Sequence, residues 1–305
     1  MMIYLHHYPA SLFSEKIRLM LGYLDQTWNS VTIASIMPRP RLMPLSGGYR
    51  RTPVLQIGAN VYCDTQIIAK ALARHCDNSD LYAPGFAANR IADWADTHLF
   101  RTTVALNFRP EALGSMMSRM SETDMEAFVK DRAELSGDAP IVSLAPEAAM
   151  AILTQVLNDM NRSLESDFLF SDRPSIADFS MYHNIWFLKN NPVNAALTDG
   201  YQNVEAWYER MAAFGHGQIV ESTGELALAA AAASEPALPE LDFPSETTFA
   251  VGEEVTVAPT DYGCIPVPGR LVAMSSEEVV IERSSDETGA LFVHFPQTGF
   301  LVSRA

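Results

Sequence analysis

Two serines, Ser11 and Ser14, stand three residues apart where a short strand signal, Ile3-Tyr4-Leu5, gives way to helical periodicity. A hydroxyl at a helix start can cap it, accepting from a free backbone amide. It can also donate to an anion that the helix-terminal amides and dipole already favour. Two further groups have chemistry in their types and order. Arg51-Thr52-Pro53-Val54 sets a proline at the start of a strand, and Asp64-Thr65 sets a carboxylate and a hydroxyl at the head of another helix. That carboxylate can accept from an ammonium group, and the hydroxyl with free amides can hold a ligand carboxylate. Each feature also has a plain structural reading: Ser11 and Asp64 as N-caps, Pro53 as an ordinary proline opening an edge strand. For the two caps, both roles can coexist.

The elements that must position these residues follow from periodicity. Leu12 to Leu24 is expected to be helical with Ile17, Met20, Leu21 and Leu24 on one face, and Trp28 to Ile33 to be a second strand. Pro53 to Ile57 and Val61 to Cys63 form a hairpin around Gly58-Ala59-Asn60, and Thr65 to His75 closes the unit as a helix. The order is βαβ, then ββα. From Ala87 to about Gly215 the signals are almost wholly helical, with helices expected over Ser121–Leu135, Ala148–Leu164 and Asn203–Met211. Ser175-Ile176-Ala177-Asp178 matches a capping box opening a buried helix through Phe187. An alanine-rich stretch follows, interrupted by Pro236, Pro239 and Pro244. Five short β runs then occupy the end: Glu254–Val257, Gly269–Met274, Glu278–Glu282, Ala290–Phe295 and Phe300–Ser303. They read as a small all-β, SH3-like barrel. The expected division is 1–83, an α/β unit; 84–220, an all-α unit; 221–244, helix and linker; and 245–305, the β domain.

Bulk properties narrow the function classes. The net charge of −16 disfavours nucleic acid, whose binding needs clustered Lys and Arg. Residues 1–83 nevertheless hold eight basic groups against five acidic ones, and Arg39, Arg41, Arg50 and Arg51 supply half of that positive charge. They read equally as a local field for a small anionic ligand or as a solvated loop face. No apolar run reaches the length of a membrane helix and no secretory leader pattern opens the chain, so the expected setting is cytoplasmic with no membrane partner. Cys63, Cys76 and Cys264 form no CxxC pair, so neither a disulfide framework nor a metal site is indicated.

The order Ser11-Leu12-Phe13-Ser14, Lys16-Ile17-Arg18, Arg51-Thr52-Pro53-Val54, Asp64-Thr65 resembles the glutathione transferase family, in its bacterial-like, serine-type members. The stretch Arg173-Pro174-Ser175-Ile176-Ala177-Asp178 is similar to the family's helical domain, so the resemblance covers about residues 1–220; an additional C-terminal β domain lies outside it. It implies a thioredoxin-like fold for the first unit. Redox members of that fold carry Cys-x-x-Cys at the first helix; Ser11-x-x-Ser14 excludes dithiol–disulfide exchange there. Counting from Lys16-Ile17-Arg18, the family's catalytic position falls on Ser11, with Ser14 the other candidate and Tyr8 a weaker one. By the same resemblance Pro53 is cis and, with Arg51, Thr52 and Val54, meets the cysteinyl part of glutathione. Asp64 and Thr65 hold the γ-glutamyl end, and Phe13 and Phe108 face the second substrate.

The implied function is a transferase that lowers the thiol pKa of glutathione, its co-substrate, and presents the thiolate to a small electrophile, the protein pairing as a homodimer. Two other readings stand beside it. One is a non-catalytic glutathione-binding or protein-interaction protein, favoured by the acidic β domain. The other is a redox protein using Cys63 or Cys76, although both read as packed core residues.

Overall fold

The computed structural model describes residues 2–118, 121–137, 144–238 and 247–305. The chain opens with β1 (Ile3–His7), α1 (Leu12–Tyr23) and β2 (Thr27–Thr32), then one helical turn, α2 (Met43–Ser46). The hairpin β3 (Val54–Ile57) and β4 (Asn60–Cys63) leads into α3 (Thr65–His75). β2 runs parallel to β1, while β3 pairs antiparallel with both β1 and β4, completing the expected thioredoxin-like unit. Alternation along β1 sorts its side chains to two cores. Ile3 and Leu5 join Ile17, Met20, Leu21 and the α3 residues Ile67, Ile68 and Leu72 on one face. Tyr4 joins Val54, Val61 and Cys63 on the other.

The first core continues without a break into the helical unit. That unit comprises α4 (Phe86–Trp94), α5 (Phe100–Asn107), α6 (Pro110–Met117), α7 (Glu122–Ser136), α8 (Pro146–Ser163), α9 (Ile176–Lys189) and α10 (Gln202–Ala212). A π-helical turn, Ala95–Leu99, joins α4 to α5. The Ser175 capping box forms as its spacing predicts: Asp178 accepts from the Ser175 amide at 2.8 Å. Its other oxygen accepts from Leu169 N and from the Trp207 indole, each at 2.9 Å. A fully buried carboxylate is tolerable only with its lone pairs so occupied.

Past α10 the chain returns to the sheet. β5 (Gln218–Ser222), which shows no alternation in the sequence, pairs parallel with β2, and α11 (Gly224–Ala232) buries Ala227, Leu228 and Ala231 in the second core. Residues 218–232 are thus built into the fold: β5 crosses the expected boundary at 220, and α11 is a helix within the expected helix and linker of 221–244; Pro239 and Pro244 lie outside the described residues. The five expected β runs appear as β6 (Glu254–Pro259), β7 (Val267–Met274), β8 (Glu278–Ser285), β9 (Gly289–Pro296) and β10 (Phe300–Arg304). They form an antiparallel meander in which β10 returns to β6. This meander shares a sheet with the first unit. β9 pairs parallel with β4, Asn60 opposite Phe292 and Tyr62 opposite His294. One ten-stranded sheet results, in the order β10-β6-β7-β8-β9-β4-β3-β1-β2-β5. The second core accordingly mixes Val54, Val61 and Cys63 with Val255, Leu271, Ile281 and Val293.

Candidate active site

The head of α1 is fixed by buried charges. The Ser11 hydroxyl accepts from Ser14 N at 3.1 Å and is itself nearly covered. Arg18, one turn on, donates to Glu15 at 2.9 Å and to the Pro9 carbonyl at 3.0 Å, tying the turn after β1 to the helix. Lys16, 1 % exposed, donates to Asp96 of the π-helical turn at 2.6 Å, and Asp96 also meets His183 at 2.9 Å. Burial would raise the Asp96 pKa, but Lys16 and His183 outweigh it and hold it at about 2. Lys16-Ile17-Arg18 therefore has a physical role: its two cations lock the first helix to what lies on either side of it. Among the described residues the buried Ser14 hydroxyl has no hydrogen-bond partner.

The Thr52–Pro53 bond is cis, in accord with the expectation from the resemblance. The preceding loop is organised by buried Arg39, which donates to the Ala34 carbonyl at 2.9 Å, the Arg50 carbonyl at 2.8 Å and the Thr52 hydroxyl at 2.9 Å. Asp64 caps α3, accepting from Gln66 N at 2.9 Å, with φ at 100°. A non-glycine residue in that region stores about 1–3 kcal/mol of strain and persists where its surroundings dictate it. Burial raises the Asp64 pKa, with Arg51, whose Nη1 lies 3.7 Å away, opposing the shift.

Phe13, Arg51, Thr52, Pro53, Asp64 and Thr65 all line one cavity of about 230 Å³. Ser11, Ser14, Val54 and Phe108 are not among its lining residues. Phe108 packs with Leu12, Phe13, Phe100 and Val104 in a small aromatic cluster beside it. The β meander adds to the lining: Thr260, Asp261 and Tyr262 after β6, and Thr298, Gly299 and Phe300 before and at β10. No sequence motif marks Asp261 or Tyr262. Arg51 donates through Nε to the Tyr262 carbonyl at 3.1 Å, pairs with Asp261 and lies 4.0 Å over the Tyr262 ring. Burial would lower the Arg51 pKa, but Tyr262, Tyr49, Asp261 and Asp64 raise it; burial itself lifts the Tyr262 phenol to about 12.

Arg39, Arg41, Arg50 and Arg51 are thus no free basic field, and of the four only Arg41 is solvated. Arg39 is spent on backbone carbonyls, Arg50 pairs with Asp131 at 2.6 Å, Arg51 with Asp261 and Asp64, and exposed Arg41 with Glu225 at 2.8 Å. The cavity itself sets Arg51 against Asp64, Asp93, Asp96 and Asp261. Among the described residues no group of three or more His, Cys, Asp or Glu is arranged to hold a metal, and no helix is long and apolar enough to cross a membrane.

Residues 5–79 match the family model of the glutathione S-transferase N-terminal domain, and residues 138–210 that of its C-terminal domain. A GST-like protein from Pseudomonas syringae is 38 % identical, with a TM-score of 0.82, over 99 % of this chain and 100 % of its own. The match therefore includes the β meander. Glutathione transferase F2 from Populus trichocarpa (16 % identity, TM-score 0.51) covers 69 % of this chain and 93 % of its own. A glutathione S-transferase from Rhodospirillum rubrum (14 %, 0.50) covers 69 % and 88 %. These two share the fold and leave about three tenths of the chain unmatched. No curated protein matches the chain. With both domain models met in order and the Pseudomonas protein aligned from end to end, the chain belongs to the glutathione S-transferase family.

Proposed function

We propose that the protein binds glutathione in the cavity between the cis-proline loop and the head of α3, and activates its thiol for attack on a small electrophile. The single observation that supports this most is the convergence of Thr52, Pro53, Asp64 and Thr65 on one cavity, with strained Asp64 among them. In this reading the γ-glutamyl ammonium meets the Asp64 carboxylate, and its carboxylate meets Thr65 and the free amides of α3. The cysteinyl part lies along Pro53 and Val54, and the sulfur faces Ser11. The Ser11 oxygen accepts from Ser14 N, which leaves its own proton to donate to the thiolate. That donation and the start of α1 both favour sulfur in its anionic form, so the thiol loses its proton near neutral pH. The thiolate pair then forms the new carbon–sulfur bond as the electrophile gives up its leaving group.

A second reading has an observation of its own. Ser11 lies outside the cavity lining and is almost covered, which favours a protein that binds glutathione without activating it. Calorimetric titration of glutathione into wild type and Ser11→Ala, with the thiolate ultraviolet band and the rate of conjugation to a chlorodinitrobenzene, separates the two. The transferase reading expects unchanged affinity, loss of the band and a rate lower by about a hundredfold, the scale for removing one donor to a developing anion. An unchanged band and rate in the mutant would leave binding alone.

A further inference from the structure

The β meander meets the cavity through two segments, and the loop that carries Tyr262 is anchored at both ends. Thr260 donates to the Gly299 carbonyl from its amide at 3.0 Å and from its hydroxyl at 3.1 Å. Gly263 donates to the Leu135 carbonyl of α7 at 2.8 Å. At that glycine φ is +57°, a left-handed backbone that strains any residue with a side chain, and a Cβ there would displace the Leu135 methyl 2.9 Å away. Between the anchors, Asp261 and the Tyr262 carbonyl hold Arg51, whose guanidinium covers one face of the Tyr262 ring. The ring also stacks on Phe100, centroids 6.0 Å apart and planes within 30°, and Phe100 in turn meets Phe13 at 4.9 Å. Tyr262 thus stands where the peptide-binding residues end and the aromatic cluster begins. It and Phe13 both line the cavity.

We infer that the C-terminal β meander is part of the substrate site, and that Tyr262 is a specificity-determining residue: with Phe13 it walls the place next to the glutathione sulfur and selects flat, aromatic electrophiles. This rests on the glutathione reading above. The edge of a rigidly held aromatic ring favours a planar aromatic partner set against it, whereas a small aliphatic group gains little from it. Arg51 and Phe100, packed against the ring, keep it in place before any ligand arrives, which limits the ordering cost of binding.

The test uses the full chain and calorimetric titration of glutathione, S-methylglutathione and S-benzylglutathione, so that turnover is not required. Tyr262→Ala is expected to weaken S-benzylglutathione by about five- to tenfold, the scale of one lost aromatic contact. Glutathione and S-methylglutathione should stay within about twofold of wild type on the same scale. Tyr262→Phe, which keeps the ring, should bind all three as wild type does. Tyr262→Leu, which keeps apolar bulk without an aromatic ring, should behave as the alanine variant and carries the comparison if that variant does not fold. An equal loss for all three ligands, no loss in the alanine and leucine variants, or a loss in Tyr262→Phe as large as in Tyr262→Leu would overturn the inference. Failure of wild type to bind glutathione would instead overturn the reading on which it rests, and the inference with it.

Discussion

Asp64 holds its place in the cavity at a cost to the fold. It is half-buried, sits at φ 100° and has its pKa raised by desolvation. A carboxyl whose folded pKa lies above its unfolded value makes the folded state less stable once the pH exceeds that range, because the unfolded chain releases the proton more readily. Asp64→Asn keeps an acceptor for the Gln66 amide and removes the half-buried charge, while Arg51 retains Asp261. The variant should lose about tenfold in glutathione affinity, as a charged hydrogen bond becomes a neutral one, without a lower melting temperature. Wild-type affinity should fall with acid from a pH above the ordinary aspartate range, as Asp64 takes up its proton, and the asparagine variant should not follow it. Calorimetry across pH and thermal melts check both. Thr52-Pro53 and Asp64-Thr65 were legible because they act within a few residues of their own elements. Asp261 and Tyr262 were not, because what makes them part of a site is Arg51, far away in sequence.

At the scale of elements, the loop before the cis proline depends on one side chain. Arg39 donates to the carbonyls of Ala34, Ser35 and Arg50 and to the Thr52 hydroxyl, and it is 6 % exposed. Arg39→Ala would leave several buried acceptors without donors, an expected loss of about 3 kcal/mol or more, seen as a lower urea midpoint. Arg39→Lys should not rescue it, since an ammonium cannot span that fork of acceptors. An arginine variant as stable as wild type would show that the loop is held by other contacts. Sequence reading found the long helices and the five C-terminal strands because their periodicity is a property of the segment itself. It missed β5, whose Gln218, Ile219, Val220 and Glu221 are all exposed. A strand whose side chains stay in solvent and which docks mainly through its backbone leaves no alternation to read. It also missed α2, which is a single turn.

On the scale of the molecule, the β meander replaces solvent along the β4 edge. Beyond the strand pairing, His294 meets Glu278 at 2.7 Å and Asn60 of β4 at 3.1 Å, and its ring stacks on Tyr62 with centroids 4.4 Å apart. Arg74 of α3 reaches Glu278 at 3.0 Å. A chain ending at residue 238 would expose both the β4 edge and the face bearing Tyr4, Val54 and Val61. An unpaired edge beside an apolar face is a template for association. The truncated chain should therefore aggregate or bind hydrophobic dyes strongly; a monodisperse, well-folded product on size exclusion would refute this. The composition of 245–305 disclosed a β unit, but not that its fourth strand would seek β4. Parallel pairing needs no connecting turn and so writes no local signal.

The same pairing sets an order of events during synthesis. Asn60–Tyr62 are synthesised long before their partners Phe292–His294. Contacts of such sequence separation form late, so the first unit must wait, its sheet open at one side, until those partners have been made. Asp261 and Tyr262, which line the cavity, arrive in the same later stretch. A nascent chain that has not yet reached them would have the cis-proline loop and the head of α3 in place, but not the cavity they help to enclose.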